Sequence, residues 1–304
     1  MRPAEQALLL CLCALLSMGA CNSPEEASIQ RISPVTNLRA FSIDSASVGL
    51  AWFPAEPFGT SYAADQFVEV VVGASIIDSV SLPLSATNAV IQNLTEGTVY
   101  SFNVYLRASE DSPYPSSSPA TISWSPARRF STAAGTGQPL RLYEFDSALA
   151  RGITFFSDSL LGPAIHSLGS ADRILIDAYF NSAIPQLRSG STLNPGPVGR
   201  TTQFSTMVPI QASTLDHPHY FVPGTGSYSE SEFNIDVGTV TSGVIIFART
   251  QDDHYMRILL LRGPNGRLIQ GTAPNRYIEL QLSYQIVTGI PYAMVVSPMG
   301  ALIP

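Results

Sequence analysis

The sequence predicts an all-β protein in which two antiparallel β-sandwiches follow one another along the chain. A chain of 304 residues is long enough for two domains, each with its own hydrophobic core. Runs of β-branched and aromatic residues recur between turns, and no segment of useful length has the apolar period of an amphipathic helix. Charged residues make up only 13%, against about 25% in an average globular protein. The surface must therefore be largely uncharged and polar, which is typical of extracellular β-sandwiches.

Residues 34–133 carry the pattern of the first sandwich. Val48–Phe53 is predicted as its second strand and contains Trp52. A turn at Gly97 leads into a later strand that begins at Tyr100, where apolar residues alternate toward one face. The segment therefore predicts a complete small β-domain with an aromatic core.

Trp52, Leu94, Gly97 and Tyr100 resemble the core and turn residues of a fibronectin type III domain. The resemblance implies that Trp52 and Leu94 fill the core and that Gly97 permits the turn. It also implies that the Tyr100 hydroxyl binds the backbone of this turn as a tyrosine corner. The residues up to Phe130 are expected to complete the last strand of this module.

A short segment with two glycines and a proline, residues 134–139, is predicted to be a linker. Residues 140–304 are predicted to form a second β-rich domain, which resembles an antiparallel sandwich. Its clearest strand, Tyr277–Ile286, alternates apolar and polar residues, which predicts one face in the core and one in water. Val244–Leu261 is predicted to be a hairpin, and further strands are expected at Ile153–Phe156 and Arg173–Phe180.

Residues 1–21 have the features of a lipoprotein signal peptide. An apolar stretch too short to span a bilayer is followed by Met18-Gly19-Ala20-Cys21, which resembles a lipobox. This resemblance implies cleavage before Cys21, lipid attachment to its sulfur, and a membrane as partner. Residues 22–33 are polar and are predicted to be a tether; their acidic pair resembles the surface-export signals of Bacteroidota lipoproteins. We therefore expect a protein anchored at the outer membrane or cell surface.

The four histidines are candidate ligands for a metal or for haem. His217 and His219 flank Pro218, and this spacing in an extended loop directs two imidazoles to the same side. His254 adjoins the turn of the hairpin, which resembles a hairpin of the haem-capturing β-sheet lipoproteins of Bacteroidota, and the resemblance implies haem as a cofactor. The alternative is a surface loop stiffened by Pro218, and the spacing alone predicts no metal site.

Other features exclude several functional classes. The net charge is −7 and there is no basic run, which excludes nucleic acid as a partner. The chain has no Gly-x-Ser-x-Gly elbow and no Lys to act as a base. The acidic pair Asp252-Asp253 lies in a predicted turn, where Asp is favoured for backbone reasons.

We therefore predict a non-enzymatic binding, adhesion or scaffold protein with a protein or glycan partner at the cell surface. Haem or metal capture by His217, His219 and His254 is the alternative. Glycan processing, which requires two carboxylates at a fixed separation, is a lesser alternative.

Overall fold

The computed structural model describes residues 30–144, 146–169, 171–217 and 223–291. The chain divides into two compact units, residues 1–31 and 32–304, and every element given below belongs to the second. Cys21 and the whole signal peptide lie outside the described residues. Within the described ranges, no helix is both long and apolar enough to cross a lipid bilayer.

The first sandwich consists of two facing antiparallel sheets. One has the strand order β1-β2-β5 and the other the order β4-β3-β6-β7, which is the arrangement of a fibronectin type III domain. The predicted all-β class and the fold of the first module are therefore confirmed. The strands are β1 Thr36–Asp44, β2 Ser47–Phe53, β3 Ala63–Val72, β4 Ser75–Leu82, β5 Asn88–Ile91, β6 Tyr100–Ala108 and β7 Ala120–Trp124, and a 3-10 helix spans Thr60–Tyr62.

Two tryptophans fill the space between these sheets. Trp52 is 2% exposed and Trp124 is fully buried. A buried indole N–H needs an acceptor. The Trp52 Nε1 donates to Gln66 Oε1 at 2.9 Å and to the Ala86 carbonyl at 3.0 Å, and the Trp124 Nε1 donates to Ser42 Oγ at 3.0 Å. The polar edge of each ring is thus satisfied inside an apolar core.

The turn before β6 is held by a side-chain hydrogen bond. The Thr95 N–H donates to the Tyr100 hydroxyl at 2.8 Å, and Leu94 is 8% exposed and belongs to the core. Gly97 has a φ of 79°, a left-handed conformation that favours glycine. A Cβ at Gly97 would also overlap Val287 of the second half. This turn therefore contacts the second sandwich as well as closing the first.

The second sandwich also contains two antiparallel sheets. One has the order β11-β10-β12-β13-β17; the other runs β16-β14-β18-β19-β21-β20, with β15 paired to β18 and both β8 and β9 paired to β21. Their inner faces share one apolar cluster that includes Phe155, Phe180, Ile258 and Leu280. The strands are β8 Arg128–Phe130, β9 Leu140–Tyr143, β10 Gly152–Ser157, β11 Gly162–His166, β12 Ala178–Asn181, β13 Gln186–Ser189, β14 Thr202–Ser205, β15 Ile210–Ala212, β16 Tyr228–Glu230, β17 Glu232–Asn234, β18 Gly243–Thr250, β19 Tyr255–Leu260, β20 Ile269–Gln270 and β21 Tyr277–Tyr284, and 3-10 helices span Arg173–Leu175, Gly190–Thr192 and Thr225–Ser227.

β8 pairs differently from our expectation. Arg128–Phe130, which we assigned to the last strand of the first module, pairs with the C-terminal half of β21. β9 pairs with the other half of β21, because that strand is eight residues long and accepts both partners end to end. Residues 134–139 accordingly form the turn between β8 and β9, where Thr132 and Pro139 make a β-bridge. They are not a linker between the sandwiches.

The alternation predicted for β21 holds on one face only. Its inward residues are buried as expected, whereas Ser283 and the following Gln285 on the other face are also buried, at 1% and 0% exposure. The Gln285 Nε2 donates to Ser125 Oγ at 3.1 Å and to the Pro126 carbonyl at 3.0 Å. The chain leaving the first sandwich covers this face. The Gln285 side chain therefore makes its hydrogen bonds to that segment and not, as we had expected, to water.

Two further strand predictions can be compared with the structure. The hairpin at Val244–Leu261 is confirmed, with register from Val244 opposite Leu260 to Arg249 opposite Tyr255. The strand expected at Arg173–Phe180 is shorter, because its first three residues form a 3-10 helix.

Candidate ligand-binding pocket

A pocket of about 440 Å³ is lined by residues from both sheets of the second sandwich. Strands β10 and β11 contribute Thr154, Phe156 and His166 from one sheet. Tyr284 of β21 and His254, which precedes β19, come from the other sheet. The pocket therefore exists only when the two sheets are packed together.

One arginine joins two carboxylates in the pocket wall. The side chain of Asp177 is 3% exposed, and its Oδ1 accepts from Arg200 Nε at 2.8 Å. Its Oδ2 accepts from the Phe155 N–H, also at 2.8 Å. Arg200 forms a second ion pair with Asp252 of the hairpin turn. Burial raises the pKa of Asp177, while the Phe155 N–H and the Arg200 guanidinium oppose that shift.

The hydrogen bonds of Thr154 determine the tautomer of His166. The Thr154 hydroxyl has one hydrogen and lies 2.5 Å from the Leu175 carbonyl oxygen, which can only accept. The Thr154 Oγ1 is also 2.8 Å from His166 Nε2, so it accepts from that nitrogen. Burial lowers the pKa of His166, which favours the neutral ring. The neutral ring then carries its lone pair on Nδ1.

The tautomer of His254 follows from the same hydrogen-bond argument, with the roles of the two ring nitrogens exchanged. Its Nδ1 lies 3.1 Å from the carbonyl oxygen of Gln285, which can only accept, so Nδ1 carries the proton. In the neutral ring, the lone pair is therefore on Nε2. Both pocket histidines thus offer one hydrogen-bond acceptor when neutral.

Aromatic rings form another part of the wall. Phe156 is stacked on Tyr284, with ring centres 5.4 Å apart and planes within 8° of each other. The centre of the His254 ring also lies 5.4 Å from that of Tyr284, with the two planes tilted by 32°. Tyr284 is only 4% exposed, and burial raises the pKa of its hydroxyl. The Arg128 guanidinium lies 5.7 Å from the centre of the Phe156 ring. These contacts pack the aromatic side chains of the wall against one another.

The hydrogen-bond directions argue against nucleophilic catalysis in the pocket. A threonine nucleophile must donate its proton to a base, whereas Thr154 accepts from His166. Asp177 and Asp252 bind one guanidinium rather than standing apart across a substrate bond. Within the described ranges, no three side chains among His, Cys, Asp and Glu are grouped for a metal ion.

The histidines singled out from sequence do not form one site in the described structure. His254 lines the pocket, but the His217 carbonyl accepts from Arg257 Nη2 at 2.9 Å. Arg257 alternates along β19 with Met256 and Ile258 of the shared core, so His217 lies on the opposite face of the sheet from the pocket.

Burial, followed by the charge of Arg257, lowers the pKa of His217. The described structure therefore does not pair His217 with His254 around one ligand. His219, like Cys21, lies outside the described residues.

Several pocket residues carried no local signal in the sequence. Asp177 and Arg200 are ordinary residues in their own segments, and they meet only through the pairing of distant strands. Asp252 was expected in a turn, and it does lie in the β18–β19 turn, next to Asp253 with a φ of 63°. The turn also directs its carboxylate to Arg200. A conserved Asp, Arg and His set in an alignment would have been the signal needed.

Among known proteins, the chain has matches among solved structures. No protein-family model matches the chain, and no curated protein matches it. The fn3 domain of the human collagen alpha-1(XX) chain aligns at 20% identity over 34% of this chain and 92% of that one, with a TM-score of 0.28. A two-domain fibronectin type III segment of chicken tenascin aligns at 12% identity over 75% of this chain and 90% of that one, also with a TM-score of 0.28. These scores are low, and the fold assignment rests on the strand orders given above.

Proposed function

We propose that the chain is a lipid-anchored, non-enzymatic binding protein of the cell envelope and that the pocket of the second sandwich is its binding site. The pocket itself is the observation that carries this proposal. It combines packed aromatic side chains, a network of ion pairs around the buried Asp177, and two histidines in a cavity of about 440 Å³, which is the size range of small-molecule sites. The first sandwich, a fold commonly used for binding or as a scaffold, supports the pocket-bearing domain.

The cysteine positions support the lipid anchor. The three cysteines are Cys11, Cys13 and Cys21, and cleavage after Ala20 would leave Cys21 alone. A single thiol retained in a secreted protein is explained when that sulfur carries lipid. Anchoring at the outer membrane or cell surface would present both sandwiches to ligands outside the bilayer.

The anchor is tested by growing cells that express the full chain with a labelled fatty acid. We expect label in the wild type and none in Cys21→Ser. Cys13→Ser is the matched control and should keep the label, because it lies within the segment that cleavage removes. Equal labelling of Cys21→Ser and the wild type would contradict the anchor.

The binding site is tested by ligand-observed NMR with the full chain and a panel of alkylamines, carboxylates, neutral sugars and haemin. Ser159 is exposed and lines the pocket, so Ser159→Trp should close it without disturbing the core. Ser79→Trp, at an exposed position on β4, is the control. We expect at least one class of probe to bind the wild type and the control but not Ser159→Trp. Binding that is unaffected by Ser159→Trp, or no binding at all, would overturn the assignment.

A further inference from the structure

The polar wall of the pocket is rich in acceptors and negative charge. Three carboxylates line it, those of Asp158, Asp177 and Asp252, against the single guanidinium of Arg200. Arg200 is engaged by the last two, whereas Asp158 is exposed and no ion pair to it occurs within the described residues. The neutral form of His166 adds a lone pair on Nδ1, because its Nε2 proton is bound by Thr154. A ligand for this wall must therefore supply hydrogen-bond donors, and a positive charge would be favoured.

The rim of the pocket has the opposite character. Leu160 and Leu175 line the pocket and are 46% and 47% exposed, and their neighbours Leu161 and Ile174 are 65% and 59% exposed. Leu161 also has a φ of 54°, at a turn position where Gly or Asn is usual. Two half-exposed aliphatic side chains from two separate segments, Leu160 and Leu175, thus form an apolar patch at the pocket. Such a patch matches a ligand that carries a hydrocarbon part.

The aromatic wall does not suit a sugar. Carbohydrate sites commonly offer an open ring face, but Tyr284 is 4% exposed and is covered by Phe156 and His254. The rim is aliphatic rather than aromatic. Between the two classes rich in donors, polyols and organic cations, the lining therefore favours the cation.

Resting on the proposed function of this pocket, we propose that its ligand is an organic cation, an alkylammonium or alkylguanidinium group. The charged head contacts the carboxylates of Asp158 and Asp252, and the alkyl chain lies against Leu160 and Leu175. A free amine and the side chain of a lysine in a peptide share this chemistry.

The proposal is tested by calorimetry on the full chain at low ionic strength with three probes of equal chain length: n-hexylammonium, n-hexanol and hexanoate. We expect hexylammonium to bind saturably and about tenfold more tightly than hexanol, and to weaken as salt is added. Asp158→Asn should weaken hexylammonium about fivefold without changing the melting temperature, because that carboxylate makes no ion pair within the described residues. Asp78→Asn on β4 is the matched control and should leave binding unchanged.

A second variant tests the hydrocarbon contact. Leu160→Ser should weaken hexylammonium and leave methylammonium unchanged, since only the longer cation reaches the rim. N-acetyl-lysine amide, compared with hexylammonium, distinguishes a peptide side chain from a free amine as the preferred source. Binding of either one supports the proposal.

Equal affinity for hexylammonium and hexanol, or a preference for hexanoate, would overturn the charge assignment. If sugars or haemin bind and Ser159→Trp abolishes that binding while hexylammonium fails, the ligand class is wrong but the site stands. If no probe depends on Ser159, both proposals fail.

Discussion

The two sandwiches differ in what they bury. In the first, the buried polar side chains are all uncharged: Ser42, Ser47, Gln66, Ser117, Ser123 and Ser125. In the second, Glu144, Arg173, Asp177 and Arg257 are also buried. A buried charge costs several kcal/mol unless it is paired, and the buried carboxylates of Asp177 and Glu144 are paired with Arg200 and Arg276. The first sandwich thus has an uncharged core, whereas the second also buries charged side chains, of which Asp177 lines the pocket.

The largest expected change in the free energy of unfolding comes from disrupting the core of the first sandwich. Trp124→Ala removes a fully buried ring and should lower the free energy of unfolding by about 3–5 kcal/mol. Since no titratable group is lost, the decrease measured by urea denaturation should be the same at pH 7 and at pH 4. Trp124→Phe is the control and should cost less, because most of the ring is kept. A decrease that varies with pH would contradict the view of this core as uncharged.

A smaller effect is expected from the ion network. Arg200→Ala leaves Asp177 buried without its cation and should cost about 3 kcal/mol at pH 7. Burial raises the pKa of Asp177, so the ionised form is the costly one, and the cost is relieved as the pH falls through the folded-state pKa. The deficit relative to the wild type should therefore shrink toward pH 4.

Arg188→Ala provides the comparison for that experiment. Arg188 and Glu232 form a half-exposed pair at 3.4 Å, which should contribute about 0–1 kcal/mol. An Arg200→Ala deficit that is as small as the Arg188→Ala deficit, or as large at pH 4 as at pH 7, would show that Asp177 does not depend on Arg200.

A smaller effect than that of Arg200→Ala is expected at Glu144, the other buried carboxylate of the second sandwich. Its carboxylate accepts from the Arg276 N–H, Nε and Nη2 at 2.9, 2.9 and 2.7 Å, and these bonds lower its pKa. A lowered pKa contributes stability above the unfolded-state value of about 4.3, and that stability is lost as the pH falls through the folded-state pKa. Glu144→Gln should thus cost about 1–2 kcal/mol at pH 7 and progressively less below pH 4. Parallel stability curves for the variant and wild type would contradict this account.

The features that could be predicted from the sequence are those encoded by a few neighbouring residues. Trp52, Gly97 and Tyr100 were found because a core strand, a left-handed turn and an alternating strand each leave a mark within a few residues. β8 was assigned to the first sandwich because a three-residue strand carries no indication of which sheet it joins. Gln285 was expected in water because the alternation of β21 gives no information about a segment that covers its outer face.

The pocket was beyond sequence reasoning for a related reason. Asp177 and Asp252 meet at Arg200, and each of the three comes from a different part of the second sandwich. His254 was singled out for its place beside a turn, whereas its actual companions, His166 and Tyr284, are set by strand pairing and by the packing of two sheets. Type and spacing of residues indicate a site only when its members are close along the chain.

The pairing of β8 with β21 sets where the molecule can be divided. A fragment that begins at residue 140, where composition suggests a domain boundary, would lack β8 and leave the end of β21 without its partner. That end carries Tyr284, whose ring stacks on Phe156 in the pocket wall. The segment that evolution could transfer together with this pocket is therefore longer than the domain that composition indicates. A recombination event that moves the pocket to another protein must carry the chain from about Arg128 onward.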